Sequence, residues 1–149
     1  MANRVDKIDI KIIELLAKNA RMTYKELAET LGTTRQRISR RMDKLERIGI
    51  IKKYTIVPDY DRLGYSHVVL GITLKAGVDV DEITKALAKM DDVKIVQKAL
   101  GAHHIVAHII APKEMREIQR IINEISKSTP GIEHIDVTFI TEDCKHEIF

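Results

Sequence analysis

Between Thr34 and Arg47 the chain sets five arginines and one lysine into fourteen residues, with Gln36 and Ser39 among them. Guanidinium groups neutralise phosphates, and Arg and Gln each offer paired hydrogen bonds to base edges in a DNA major groove. At about 100° per residue, Ile38, Met42, Leu45 and Ile48 form one narrow apolar stripe. Gln36, Ser39, Arg40, Asp43, Lys44 and Arg47 fall opposite, with Arg37 and Arg41 at the edge. Arg35, Gln36, Ser39 and Arg40 lie in the first turns, where a helix reads bases. Lys44 and Arg47 lie further along and point to phosphate. With Thr34 and Arg37, these six are the candidate DNA-binding residues. A solvated basic helix is the plainer reading, and the frame around the helix weighs against it.

Other chemistries find less support. His67, His108, His134 and Asp136 fall on strands that could bring them together, and imidazoles beside a carboxylate can bind a transition metal. No tight ligand spacing accompanies them, so interface or solvent-facing histidines are the favoured reading. Neither a Gly-rich phosphate loop nor a nucleophile elbow nor a metalloprotease motif occurs. Cys144 is the single cysteine, which excludes an internal disulfide. No catalytic residue, cofactor or metal is expected.

The basic segment needs elements that hold it. Asp6 is placed to cap a helix from about Lys7 to Asn19, with Ile8, Ile12, Leu15 and Leu16 as its apolar stripe and Asp9 beside its N-terminus. Thr23 and Glu26 form a capping-box pattern before a helix over Tyr24 to Leu31, which Gly32 can end. Thr34 then caps the basic helix, Arg35 to Ile48, and Gly49 ends it. Two capped helices joined by a short Gly turn, the second with one anchored and one basic face, describe a helix-turn-helix. Ile50 to Val57 is rich in β-branched residues and predicts a connecting strand.

Beyond Pro58 the pattern changes. Strands are predicted over Ser66 to Lys75, Val93 to Leu100, His104 to Ile110 and Ile132 to Thr141, with helices over Asp81 to Met90 and Lys113 to Ser126. The helical stripes are Ile83, Leu87 and Met90, then Met115, Ile118, Ile122 and Ile125. This βαββαβ order is the ferredoxin-like arrangement of an α+β domain, with both helices on one sheet face. The middle strands are apolar on both faces, with Val69, Val106 and Ile110 behind the core side. Such a sheet needs a second layer, and a partner subunit is the expected source. The domains expected are therefore 1–57, DNA-binding; 58–65, hinge; and 66–149, sensing and oligomerisation.

Charge follows the same division. Residues 1–57 hold 14 Lys and Arg against 7 Asp and Glu, whereas the remainder is net −4 in a chain of net +3. A basic first third suits a polyanion. Aromatic residues make up only 4% of the chain and tryptophan is absent, so base stacking is not its main binding mode. With no apolar signal region after Met1-Ala2-Asn3-Arg4, a cytoplasmic location is expected.

Several motifs in register resemble one family. Asp6-x-x-Asp9-x-x-Ile12-Ile13-x-x-Leu16-x-x-Asn19-Ala20-Arg21 is similar to the opening signature of the Lrp/AsnC (leucine-responsive, feast-or-famine) regulators. Leu27-Ala28, Leu31-Gly32, Arg41, Leu45-Glu46, Gly49-Ile50-Ile51, Leu63-Gly64 and Pro130-Gly131-Ile132 continue it. The resemblance implies a winged helix-turn-helix, a hinge strand and a sensing domain that forms homodimers, assembling to tetramers or octamers. It implies transcriptional regulation through double-stranded DNA, modulated by an amino-acid-like effector. An enzyme of the sirohaem-decarboxylase type and a low-specificity DNA-organising protein are the alternatives. The family's Gly-x-x-Asp loop reads Gly101-Ala102-His103-His104 here. By resemblance Gly101, Ala102, His103, His104 and Thr138 are the candidate effector residues. With His104 in place of the acid, an anionic or neutral ligand group is expected there, with affinity that changes as His104 titrates.

Overall fold

The computed structural model describes residues 5–149 and divides them into two units. Residues up to Val57, with Cys144–Phe149, form one unit, and Pro58–Asp143 form the other. Met1 to Arg4, where the absence of a signal region was read, lie outside the described residues.

The first unit holds α1 (Lys7–Lys18), α2 (Tyr24–Leu31) and α3 (Arg35–Arg47). Each begins on a side chain that accepts otherwise unpaired backbone N–H groups. Asp6 accepts from Ile8 and Asp9, Thr23 from Glu26, and Thr34 from Arg37. Asp9 and Glu26 reciprocate by accepting the N–H of Asp6 and Thr23, so both capping boxes close. Gly32 ends α2 at φ +63°, a left-handed geometry that a side chain would strain, and it lets α3 start three residues later. Ile12, Leu27, Ala28, Ile38, Met42 and Leu45 make the core of this unit.

Two sequence readings change here. The buried side of α1 carries Asp9, Ile12 and Leu16, whereas Ile8 is exposed. These positions are three and four apart, so a carboxylate sits on the apolar stripe. Ile50 to Val57, expected as a strand, runs without strand pairing, and Ile56 is 81% exposed. A strand needs a neighbour to accept its hydrogen bonds, and among the described residues this unit contains none.

The second unit is a four-stranded antiparallel sheet in the order β2-β3-β1-β4, with both helices on one face. Its elements are β1 (Tyr65–Leu74), α4 (Val80–Leu87), β2 (Val93–Lys98), β3 (Ile105–Pro112), α5 (Met115–Ser128) and β4 (Ile132–Ile140). The α+β class and the ferredoxin-like order are those expected. Val68, Leu70, Ile72 and Leu74 of β1, with Ile105, Ala107, Ile109 and Ala111 of β3, face Ile83, Leu87, Ile118, Ile121 and Ile125 of the helices. The stripe of α5 runs through Ile121, while Met115 is exposed. Directly opposed residues in antiparallel strands share a face. His67, Val69, Gly71 and Thr73 therefore lie with Ile140, Thr138, Asp136 and His134 on the uncovered side. Val69, Val106, His108 and Ile110 are half-buried there, on the face opposite this unit's own two helices. Val137 and Phe139, on the helix side of the edge strand β4, remain about two-fifths exposed because the helices pack over the other strands.

Leu70 is fully buried at the centre of this sheet. Leu70→Ala should cost about 2–5 kcal/mol in urea unfolding of the full chain. A loss under about 1 kcal/mol would show that the sheet centre is not the core described.

Candidate functional site

Two sites take shape, one on each unit. The first is the outward face of α3. Thr34, Arg35, Gln36, Arg37, Arg40 and Arg47 are exposed, and Ser39 is half-buried beside Ile38. The apolar stripe and the Thr34 cap fix the helix, so these side chains project from an anchored frame.

Arg41 and Lys44 are held elsewhere. One Arg41 nitrogen, Nη1, donates to Asp6 at 2.7 Å and to Asp9 at 2.7 Å, and Lys44 Nζ donates to the other Asp9 oxygen. Asp9 has no solvent exposure. Burial pushes its carboxyl up, but the hydrogen bonds from Lys44, the Asp6 N–H and Arg41 outweigh burial and leave it below the usual value. Lys44, assigned to phosphate by sequence position, is thus bound to a buried carboxylate. The signal lay in two spacings. Arg41 and Lys44 are three apart on one side of α3, and Asp9 lies in register with Ile12 and Leu16.

The second site lies on the uncovered sheet face. The His103 ring lies over Gly71, where a built Cβ would come within 2.5 Å of it, so only glycine leaves the ring its place. His103 Nε2 stands 3.6 Å from Asp136 Oδ2, and its Nδ1 is 3.4 Å from the Thr73 hydroxyl. The other Asp136 oxygen meets His134 Nε2 at 3.1 Å. His104 is turned away from this cluster. Its Nδ1 accepts the Leu74 N–H at 3.0 Å, and its backbone N–H donates to the Ile72 carbonyl at 3.0 Å. It therefore anchors the loop to β1. Of the expected effector residues, the structure brings His103 to the face, leaves Gly101 and Ala102 exposed beside it, and sets Thr138 opposite Val69, two residues along β4 from Asp136. Asp136 and Thr73 were not among them. The alternation of β4 put Asp136 on this face, but the fold-over of the loop leaves no local sequence signal.

Two further strand histidines form a separate pair. His67 Nε2 and His108 Nδ1 meet at 2.9 Å, with the Tyr60 ring edge-on to His67 at a centroid distance of 5.8 Å. His134 stays with Asp136. Among the described residues no three ligating side chains converge on a point that could hold a metal ion. Burial, then the neighbouring His67, lowers the pKa of His108 from its usual 6.5. No helix among the described residues is long and apolar enough to cross a membrane.

Two family models match the chain. Residues 5–52 match the winged helix-turn-helix DNA-binding family, and residues 68–149 match an AsnC-type family described as the PF0864 C-terminal dimeric alpha+beta barrel domain. An uncharacterized HTH-type transcriptional regulator of Pyrococcus furiosus is 41% identical, over 97% of this chain and 98% of that protein. The crystal structure of PH0061 from Pyrococcus horikoshii superposes with TM-score 0.91 at 38% identity, covering 98% of this chain and 99% of that one. A Neisseria meningitidis transcriptional regulator, solved as an L-Met complex, shares the fold with TM-score 0.81 at 21% identity, covering 97% of this chain and 94% of that one.

The lowered pKa of His108 has a consequence for stability. Below about pH 6.5 the unfolded imidazole takes up a proton that the folded one resists, so stability is present at higher pH and declines as pH falls. The urea midpoint should fall between pH 7.5 and 5.5, and His108→Gln should flatten that dependence. An identical slope in the variant would remove His108 as its cause.

Proposed function

Since this chain belongs to the Lrp/AsnC family of DNA-binding, HTH-type transcriptional regulators, we propose that it reads operator DNA with the first turns of α3. The observation that carries this reading is the exposure of Thr34, Arg35, Gln36, Arg37 and Arg40 on a helix whose opposite face is buried. Arg35, Gln36, Ser39 and Arg40 read base edges, while Arg37, Arg47 and the Thr34 end of the helix meet phosphate. Lys44 is left out because Asp9 holds it.

Dimers form where two uncovered sheet faces meet, which supplies the layer that Val69, Val106 and Ile110 need. A two-fold dimer presents two recognition helices, suiting pseudo-palindromic sites with half-sites about 34 Å apart or a multiple of that. The solvent-facing Leu100, Val137 and Phe139 are available for association of dimers into tetramers or octamers.

The effector site is the group around His103. A carboxylate does stand there, supplied by Asp136 of β4 instead of the loop. Asp136 accepts a ligand's ammonium, while the His103 ring and the backbone at Gly101 and Ala102 face its other polar groups. With Asp136 beside the loop, a ligand ammonium fits this set better than the anionic or neutral group expected opposite His104. The L-Met complex of the Neisseria regulator is consistent with that class. To act, the ligand must bind one assembly or DNA-binding state more tightly than another.

Two measurements check these assignments. Arg40→Ala should cost about 1–3 kcal/mol on an operator selected in vitro and relax one base position. Equal losses on operator and random DNA would overturn its base-reading role. In a thermal-shift screen of amino acids, Asp136→Asn should abolish the response of the wild-type chain, and His104→Asp should leave it in place. A full response in Asp136→Asn would move the site elsewhere.

A further inference from the structure

A helix wheel of α3 carries six basic side chains, and among the described residues two of them, Arg41 and Lys44, are bound at the α1 N-terminus. Arg41 and Lys44 converge on Asp9 from one side of α3, and Arg41 also reaches Asp6. Asp9 is closed in from every direction. Its own helix lies on one side, Ile12 follows one turn on, and its Oδ2 accepts the Asp6 N–H at 3.1 Å. A carboxylate without solvent exposure is stable only while its cations stay. The side chains of Arg41 and Lys44 are 26% and 21% exposed, so they are themselves largely withdrawn from solvent.

We infer that Asp9 is a positioning residue for DNA recognition: it holds Lys44 and Arg41 away from the phosphates and fixes α3 against the N-terminus of α1. The inference rests on the reading that α3 meets DNA. Its physical content is a trade between charge and placement. A lysine on phosphate adds sequence-independent affinity, because each neutralised phosphate releases counterions whatever the bases are. A lysine held by a buried carboxylate adds none, but it pins the middle of α3, from which the first-turn residues are projected. Base contacts depend on that projection, since hydrogen-bond geometry to a base edge tolerates little displacement. Asp9 thereby lowers binding to random DNA and preserves binding to the operator. Each consequence moves the ratio of specific to non-specific affinity the same way.

The test uses the full-length protein, an operator selected in vitro and a random duplex of equal length. The slope of log affinity against log salt is measured on each. A phosphate contact contributes about 0.9 to that slope. Lys44→Ala is expected to leave the slope on random DNA unchanged. A slope shallower by about 0.9 per subunit would show that Lys44 meets phosphate and would overturn the inference. Asp9→Asn is expected to release Lys44, to steepen the random-DNA slope by about 0.9 per subunit, and to lower the specific to non-specific ratio at least tenfold. A folded Asp9→Asn protein with the wild-type slope and ratio would also overturn it. Where Asp9→Asn does not fold, Asp9→Leu, which puts an apolar side chain on the apolar stripe, takes its place with the same expected slope and ratio and the same overturning result. A merely structural Asp9 would change the melting temperature without moving either slope. Arg40→Ala keeps the two proposals apart: if it too leaves specificity untouched, the α3 reading fails, and if only the slopes disagree, the Asp9 inference fails.

Discussion

A buried carboxylate is the constraint on which the DNA-binding unit depends. Asp9 sits on the apolar stripe of α1, where charge is costly unless it is paired. Arg41 and Lys44 provide the pairing, and both come from α3. The most expensive group in the unit is therefore satisfied by the helix that must be placed most accurately. Ile38, Met42 and Leu45 hold that helix by apolar contact, which sets its depth but is non-directional. The Asp9 hydrogen bonds add direction. Asp6, capping α1 and bound by the same Arg41 nitrogen, extends the link to the helix end.

The second unit is governed by an asymmetry of its sheet. Both helices pack on one face, and the other face keeps apolar side chains only half-covered. That face has an apolar part and a polar part. Its apolar centre, with Val69, Val106 and Ile110, suits a second sheet, which agrees with the dimeric barrel of the matched family. Toward the β2–β3 loop it turns polar, with Thr73, His103, Asp136 and His134 in one group. Gly71 makes the join, because its missing side chain lets the loop histidine lie on the strand. A ligand bound at this edge would lie where the assembling surface begins, which is a physical route from binding to assembly.

Much of this was legible in the residues. The span of α2 and the start of α3 follow from Thr23, Glu26, Gly32 and Thr34, because caps act locally and leave local signatures. The βαββαβ order follows from periodicity, which burial enforces along each element. What escaped was long-range. Ile8 lost its place in the core to Asp9, because a periodicity argument that counts only apolar residues passes over a buried charge with partners thirty-odd positions away. The segment Ile50 to Val57 has strand composition but no strand neighbour among the described residues of its unit, and composition cannot provide one. His104 stands where the family's acid does, yet the carboxylate beside the loop, Asp136 near His103, comes from β4, which no reading of the loop alone could reveal.

The central claim is that the first turns of α3 lie in the major groove of operator DNA, once per subunit of a symmetric dimer. Tethered cleavage addresses it most directly. With Cys144→Ser removing the native thiol, Asp43→Cys, exposed on α3 and outside the base-reading set, would carry an iron chelate on an operator selected in vitro, and the cut positions would be mapped on both strands. The account predicts two clusters of cuts with the strand offset of a major-groove reagent, related by symmetry and separated by about 34 Å or a multiple of it. A single cluster, a minor-groove offset, or cutting spread evenly along the duplex would contradict it.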